Sequence, residues 1–155
     1  MDALEKATAY LSRKPHTQQE VTDYLLRKEY SPDETAAAVA RLKEYGYIDD
    51  LAYAKLYFEY GFEKARGKDR IARELAGKGV SRDVIEQAFE QLEETPDEEE
   101  TALMLASQIV RETDDDPAEM TYEEKQKLRA KIVRRLATRG FSGSICYRAA
   151  RETVK

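Results

Sequence analysis

The sequence predicts an all-α fold of about nine helices, set out as three tandem three-helix modules. A gapless internal repeat is the first observation behind this, and helix-capping signatures at the repeat boundaries are the second. The third is composition: the chain is rich in Ala, Leu, Glu, Lys and Arg, lacks Trp, and has four Pro in 155 residues.

The repeat aligns VTDYLLRKEYSPDETAAAVARL from Val21, IARELAGKGVSRDVIEQAFEQL from Ile71, and IVRRLATRGFSGSICYRAARET from Ile132. Val21, Ile71 and Ile132 correspond, as do Leu25, Leu75 and Leu136; then come Lys28, Lys78 and Arg139. The apolar Tyr30, Val80 and Phe141 precede Ser31, Ser81 and Ser142, and Ala38, Ala88 and Ala149 complete the register. Apolar residues four apart fall on one helical face, so each copy reads as two helices around a tight turn. Gly79 and Gly140 stand where a left-handed residue ends the first helix, and the serine after next caps the second. Glu29 takes the glycine position in the first copy.

Each helix pair follows a further helical stretch: Ala3–Leu11, Leu51–Glu63 and Glu98–Arg111. The modules are therefore 1–48, 49–95 and 96–155, the last carrying an acidic loop at 111–120. A unit of this length suits a stacked helical array. TQQE from Thr17, SPDE from Ser31, TPDE from Thr95 and TYEE from Thr121 all read as helix starts, and Glu34 is placed to complete a capping box with Ser31. In KEYGYIDDLAYAK, Gly46 ends one helix, and Asp49 and Asp50 open the next as caps. Leu51, Ala54, Leu56 and Phe58 then form an apolar stripe. The same aspartates could instead be metal ligands, but a metal would need further oxygen or imidazole donors from elsewhere.

Chemistry-bearing constellations are few. Asp114, Asp115 and Asp116 lack the alternating spacing of a calcium loop. His16 has no nucleophile near it in sequence, and Cys146 aligns with Ile85 as a core thiol. No phosphate loop or CxxC pair is present. No enzyme, cofactor or metal site is expected. A single cysteine excludes an intrachain disulfide, no apolar run is long enough for a bilayer, and the N-terminus is charged where a signal peptide is apolar. A cytoplasmic protein without membrane contact is expected.

Charge is segregated. Residues 95–120 hold nine acidic and one basic residue, and residues 121–155 hold ten basic and three acidic, within a net charge of −5. This suggests a polar partner for the basic end, against the plainer reading of solvated faces. Two basic groups stand out: Lys64, Arg66, Lys68, Arg70 and Arg73; and Lys127, Arg129, Lys131, Arg134, Arg135 and Arg139, with Arg148 and Arg151 beyond. They could meet phosphates or an acidic protein face. Tyr45, Tyr47, Tyr53, Tyr57 and Tyr60 cluster at the junction of the first two modules, where they either pack the seam or form a contact patch.

YGYIDDLAYAKLYFEYGFEKARGKDRIARELAGKGV resembles the central module of the RecX family, regulators of the RecA recombinase. YLSRKPHTQQEVTDYLLRKEYSPDETAAAVARLKEYG resembles the first module and KLRAKIVRRLATRGFSGS the third. The resemblance implies an elongated, curved array of tandem modules without enzymatic activity. It implies binding to RecA and to the RecA–single-stranded-DNA filament, with recombinase, ATPase and LexA-coprotease activities reduced. A role in homologous recombination, DNA repair and the SOS response follows. The two basic groups, with Arg148, are then the candidate contacts of a monomeric protein. At a pI near 5.2, protein contacts should dominate and nucleic acid be touched weakly or indirectly. Two rivals remain: an independent helix-turn-helix DNA binder, disfavoured by the acidic, alanine-rich second helix PDETAAAVARL, and a general helical adaptor.

Overall fold

The computed structural model describes Met1–Lys155 and is all-helical, with nine α-helices and one 3-10 turn. In order these are α1 (Ala3–Leu11), α2 (Gln18–Arg27), α3 (Pro32–Glu44), α4 (Asp50–Glu63), α5 (Lys68–Gly77), α6 (Arg82–Glu90), α7 (Glu98–Glu112), α8 (Tyr122–Arg139) and α9 (Gly143–Thr153). The all-α expectation is met, and the repeated helix pairs are α2–α3, α5–α6 and α8–α9. The segment read as an acidic loop is partly ordered: α7 runs on through Glu112, and Pro117–Glu119 make the 3-10 turn, capped by Asp116. No helix is long and apolar enough to cross a membrane.

The chain divides into two compact units, Met1–Phe58 with Ala72–Leu92, and Glu59–Ile71 with Glu93–Lys155. In the first, Ala7, Val21, Leu25 and Leu42 form one core under α1, α2 and α3. In the second, Ala106, Ile132, Leu136, Cys146 and Val154 lie in the core of α7, α8 and α9. Cys146 is fully buried there, and burial pushes its thiol pKa up.

Local capping explains where helices begin. Ser31, Ser81 and Ser142 each accept a hydrogen bond from the N–H three residues on. Thr17 makes the full reciprocal box with Glu20, whereas Ser31 forms only the hydroxyl half with Glu34. TPDE departs from the expected reading: Asp97, not Thr95, caps α7, because its carboxylate reaches the N–H groups of both Glu99 and Glu100.

The first helix of each repeated pair ends in one geometry. In the three repeats, Tyr30, Val80 and Phe141 donate their N–H to the carbonyls of Leu25, Leu75 and Leu136, and the residue before each has positive φ. That residue is Gly79 (φ 87°), Gly140 (φ 102°) or Glu29 (φ 69°). Glu29 thus takes up the same turn as the glycines despite its side chain. A non-glycine residue there costs about 1–2 kcal/mol. Glu29→Gly should therefore stabilise the protein by about 1 kcal/mol, read as a higher urea midpoint at unchanged m. The α3 end repeats the motif, with Gly46 at φ 78° and Tyr47 N–H donating to Leu42.

Two joints, equivalent in the repeat, tie helix starts to distant turns. Within the first unit, the Thr17 hydroxyl at the start of α2 donates to the Lys78 carbonyl at the end of α5, 2.7 Å away. Gln18 N–H donates to the Asp50 carboxylate at 2.9 Å. The aspartate pair is therefore divided: Asp49 caps its own helix through Ala52 N–H, and Asp50 caps α2. Gly79 is required in this joint, since a Cβ there would fall 2.2 Å from Gln19 Cβ. Within the second unit, Gly67 N–H donates to the Arg139 carbonyl at 2.7 Å, and Lys68 N–H to the Glu98 carboxylate at 2.7 Å. Thr17 and Gly67 are equivalent in the repeat, as are Lys78 and Arg139. The same contact is made by a hydroxyl in one joint and a backbone amide in the other.

Glu20 gathers the first joint electrostatically, accepting from Thr17 N–H at 2.9 Å with His16 Nδ1 at 3.5 Å and Lys78 Nζ at 3.9 Å. His16 is 8% exposed and stacks on Tyr10 at 3.8 Å, and Tyr10 stacks in turn on Tyr24. Burial holds the His16 pKa below its usual value, outweighing Glu20, which raises it; Lys14 and Lys78 lower it further. A depressed histidine stabilises the fold above its unfolded pKa near 6.5, and that contribution is lost as pH falls toward the folded value. Urea titrations between neutral and mildly acidic pH should show wild type losing more stability than His16→Gln.

Candidate partner-binding surface

The two basic groups are built differently. Lys64, Arg66, Lys68, Arg70 and Arg73 span the α4–α5 turn, where Ala65 takes a left-handed conformation (φ 56°) so that Arg66 N–H can reach Gly61. The Lys64 ammonium and Arg66 guanidinium sit 5.7 and 5.5 Å from the centre of the Tyr60 ring. The Lys64 carbonyl accepts from Arg139 Nη1 at 2.8 Å. Arg70 packs against Gly140, whose added Cβ would meet its Cβ at 2.3 Å. Most of this group thus borders the second joint, and Arg73 is exposed on α5.

The second group lies mainly on α8. Its apolar edge, Leu128, Ile132 and Leu136, is buried in the core. Several of its arginines are committed inside the protein. Arg129 donates from Nε to the Val154 carbonyl at 2.8 Å, tying the end of α9 to α8. Arg135 pairs with Glu112 at 3.3 Å and Arg148 with Glu99 at 2.6 Å. Arg139 spans to Lys64. Lys127, Lys131 and Arg134 remain without a carboxylate partner and share one face at helical spacing.

Beside that face runs an open groove of about 750 Å³ between α8 and α9, lined by Arg129, Val133, Arg134, Tyr147, Ala150 and Arg151 among others. Tyr147 is 61% exposed at its edge. Sequence reasoning did not single out Tyr147. The available signal was its place four residues before Arg151 on α9, at a position where the other repeats have Ala36 and Glu86.

The tyrosines of the first two modules divide between packing and surface. Tyr53 and Tyr57 stack with ring centres 6.1 Å apart, and burial, reinforced by Glu20, pushes the Tyr53 pKa up to about 12. Tyr45, Tyr47 and Tyr60 are exposed. The Tyr45 ring carries the Arg41 guanidinium, whose Nη2 also donates to its hydroxyl.

The lysine and arginine charges of this surface can hold carboxylates or phosphates, and its tyrosines can cover an apolar contact.

Comparison with known proteins matches residues 3–42 to the family model for RecX, first three-helix domain, and residues 49–88 to that for RecX, second three-helix domain. The regulatory protein RecX of Vibrio vulnificus (strain CMCP6) is 36% identical over 142 residues, covering 92% of this chain and 86% of that protein. The regulatory protein RecX of Lactobacillus delbrueckii subsp. bulgaricus is 33% identical over 98% of this chain. The chain spans about half the length of that relative, 54%. The fold is similar to the crystal structure of RecX from Lactobacillus salivarius, with a TM-score of 0.79 at 24% identity over 97% of this chain and 94% of that one.

Proposed function

Because the chain belongs to the RecX family, we propose that it regulates RecA. In this reading it binds RecA and the RecA–single-stranded-DNA filament and mostly inhibits recombinase, ATPase and LexA-coprotease activity, without catalysing a reaction itself. The observation that carries it is the match to RecX regulatory proteins along nearly the whole chain, with the two domain matches falling on the capped helix sets α1–α3 and α4–α6. The units of function are the three modules 1–48, 49–95 and 96–155. A monomer whose modules engage successive RecA subunits gains affinity from multivalent contact.

Contact runs mainly through protein. The candidate contact residues are Lys127, Lys131 and Arg134 on α8, Arg73 on α5, and the Tyr60, Lys64 and Arg66 cluster at the end of α4. The paired Arg135 and Arg148 can join by exchanging Glu112 and Glu99 for a partner's carboxylate. A chain of net charge −5 is repelled by bare nucleic acid at long range, so DNA is met weakly or indirectly, through the filament.

The test adds the purified chain to RecA polymerised on single-stranded DNA. The chain should pellet with the filament and slow ATP hydrolysis. Absence of both would instead make it a helical adaptor for some other protein.

A further inference from the structure

The groove between α8 and α9 has a counterpart in the first repeat, and the pair reveals what the third repeat has added. Between α2 and α3 a groove of about 320 Å³ is lined by Gln18, Thr22, Ala36, Val39 and Ala40, among others. In repeat register these residues correspond to Arg129, Val133, Tyr147, Ala150 and Arg151, all lining the groove of the third repeat. The scaffold is shared, and Arg129 ties α9 to α8 through Val154, so what folding alone does not demand there is Arg151 and Tyr147. The first groove is small, and Lys43 at its edge is its one charged lining residue. The third is larger, with an apolar floor of Val133 and Ala150, an exposed aromatic edge, and guanidinium groups along its sides.

The guanidinium groups are not equivalent. Arg129 is anchored to Val154 and Gln126, whereas Arg134 and Arg151 have no carboxylate partner. Two free charges beside an apolar floor fit a short ligand with a few negative charges and one apolar anchor. A nucleic-acid track would need a longer line of cations and less apolar surface. Charge complementarity therefore favours a peptide.

We propose that the α8–α9 groove is a docking site for an acidic peptide segment of a protein partner. One apolar side chain of the segment seats over Val133 and Ala150 beside Tyr147, and flanking carboxylates pair with Arg134 and Arg151. The proposal deepens the preceding reading and rests on it only for the partner being a protein.

The test needs no RecA. The full chain is titrated into a fluorescein-labelled peptide, Asp-Asp-Glu-Phe-Leu-Asp-Glu, and anisotropy is followed, with oligothymidylate as competitor. Wild type should bind. Arg134→Glu/Arg151→Glu and Tyr147→Ala, each checked by circular dichroism for intact helix, should bind about tenfold or more weakly. Oligothymidylate should leave the peptide in place. No binding by wild type, equal binding by the folded variants, or displacement by oligothymidylate would each overturn the proposal. A chain that binds the peptide but not filaments would overturn the RecA reading alone. One that pellets with filaments but ignores the peptide would overturn the groove alone.

Discussion

Gly67→Ala should destabilise the protein by about 3 kcal/mol, a lowering of Tm by about 6–12 °C. A Cβ at this position would lie 2.3 Å from the Gly140 carbonyl oxygen and 2.4 Å from its carbon, both backbone atoms that cannot swing aside. Relief requires the α4–α5 turn to withdraw from the α8–α9 turn. That movement breaks the 2.7 Å bond from Gly67 N–H to Arg139 and loosens the Lys68–Glu98 cap beside it. Gly77→Ala is the control. Nothing lies within 4 Å of its Cβ and it ends α5 without a positive φ, so alanine there should be neutral or stabilise by up to about 1 kcal/mol. Differential scanning calorimetry of the two variants separates a joint that depends on close backbone approach from a general intolerance of added methyl groups.

Phe58→Ala should cost about 4 kcal/mol, while Leu56→Ala, two residues away on the same helix, should change stability by no more than about 0.5 kcal/mol. Phe58 is fully buried with its ring 5.6 Å from that of Phe89, and truncating it leaves a cavity between α4 and α6. Leu56 is 62% exposed. Both residues belong to the stripe read from the sequence, but two positions along a helix are about 200° apart. The buried edge of α4 is Ala54, Phe58 and Gly61, at spacings of four and three. Gly61 lies so close to α5 that an added Cβ would meet Ile71 Cδ1 at 2.5 Å. Urea unfolding of the two variants at equal m would measure the contrast directly.

What was legible in the sequence is chemistry that acts within a turn of helix. The serine caps, the reciprocal box at Thr17 and the bounds of α1 follow from side chains bonding amides three residues away. Glu29 shows that register can outweigh residue type. Glutamate disfavours positive φ, yet Leu25 and Tyr30 impose the same terminal turn that glycine takes in the other repeats. Partners distant in the chain were not legible. Asp50 reads as a cap for its own helix, and only the fold brings Gln18 to it. For the same reason a run of arginines on α8 looks uniformly available. Arg129 is drawn to Val154, Arg135 to Glu112 and Arg139 to Lys64, which leaves Arg134 as the free arginine of that run. Tyr147 escaped notice because only its place on the wall of a groove distinguishes it from other exposed tyrosines.

If the chain binds the RecA filament as proposed, the unpaired cationic face of its third repeat carries much of the contact. Pelleting wild type and the folded Arg134→Glu/Arg151→Glu variant with RecA on single-stranded DNA, at matched protein and moderate salt, tests it most directly. Wild type should appear in the pellet and the variant should stay largely in the supernatant. Equal amounts of both in the pellet would contradict it.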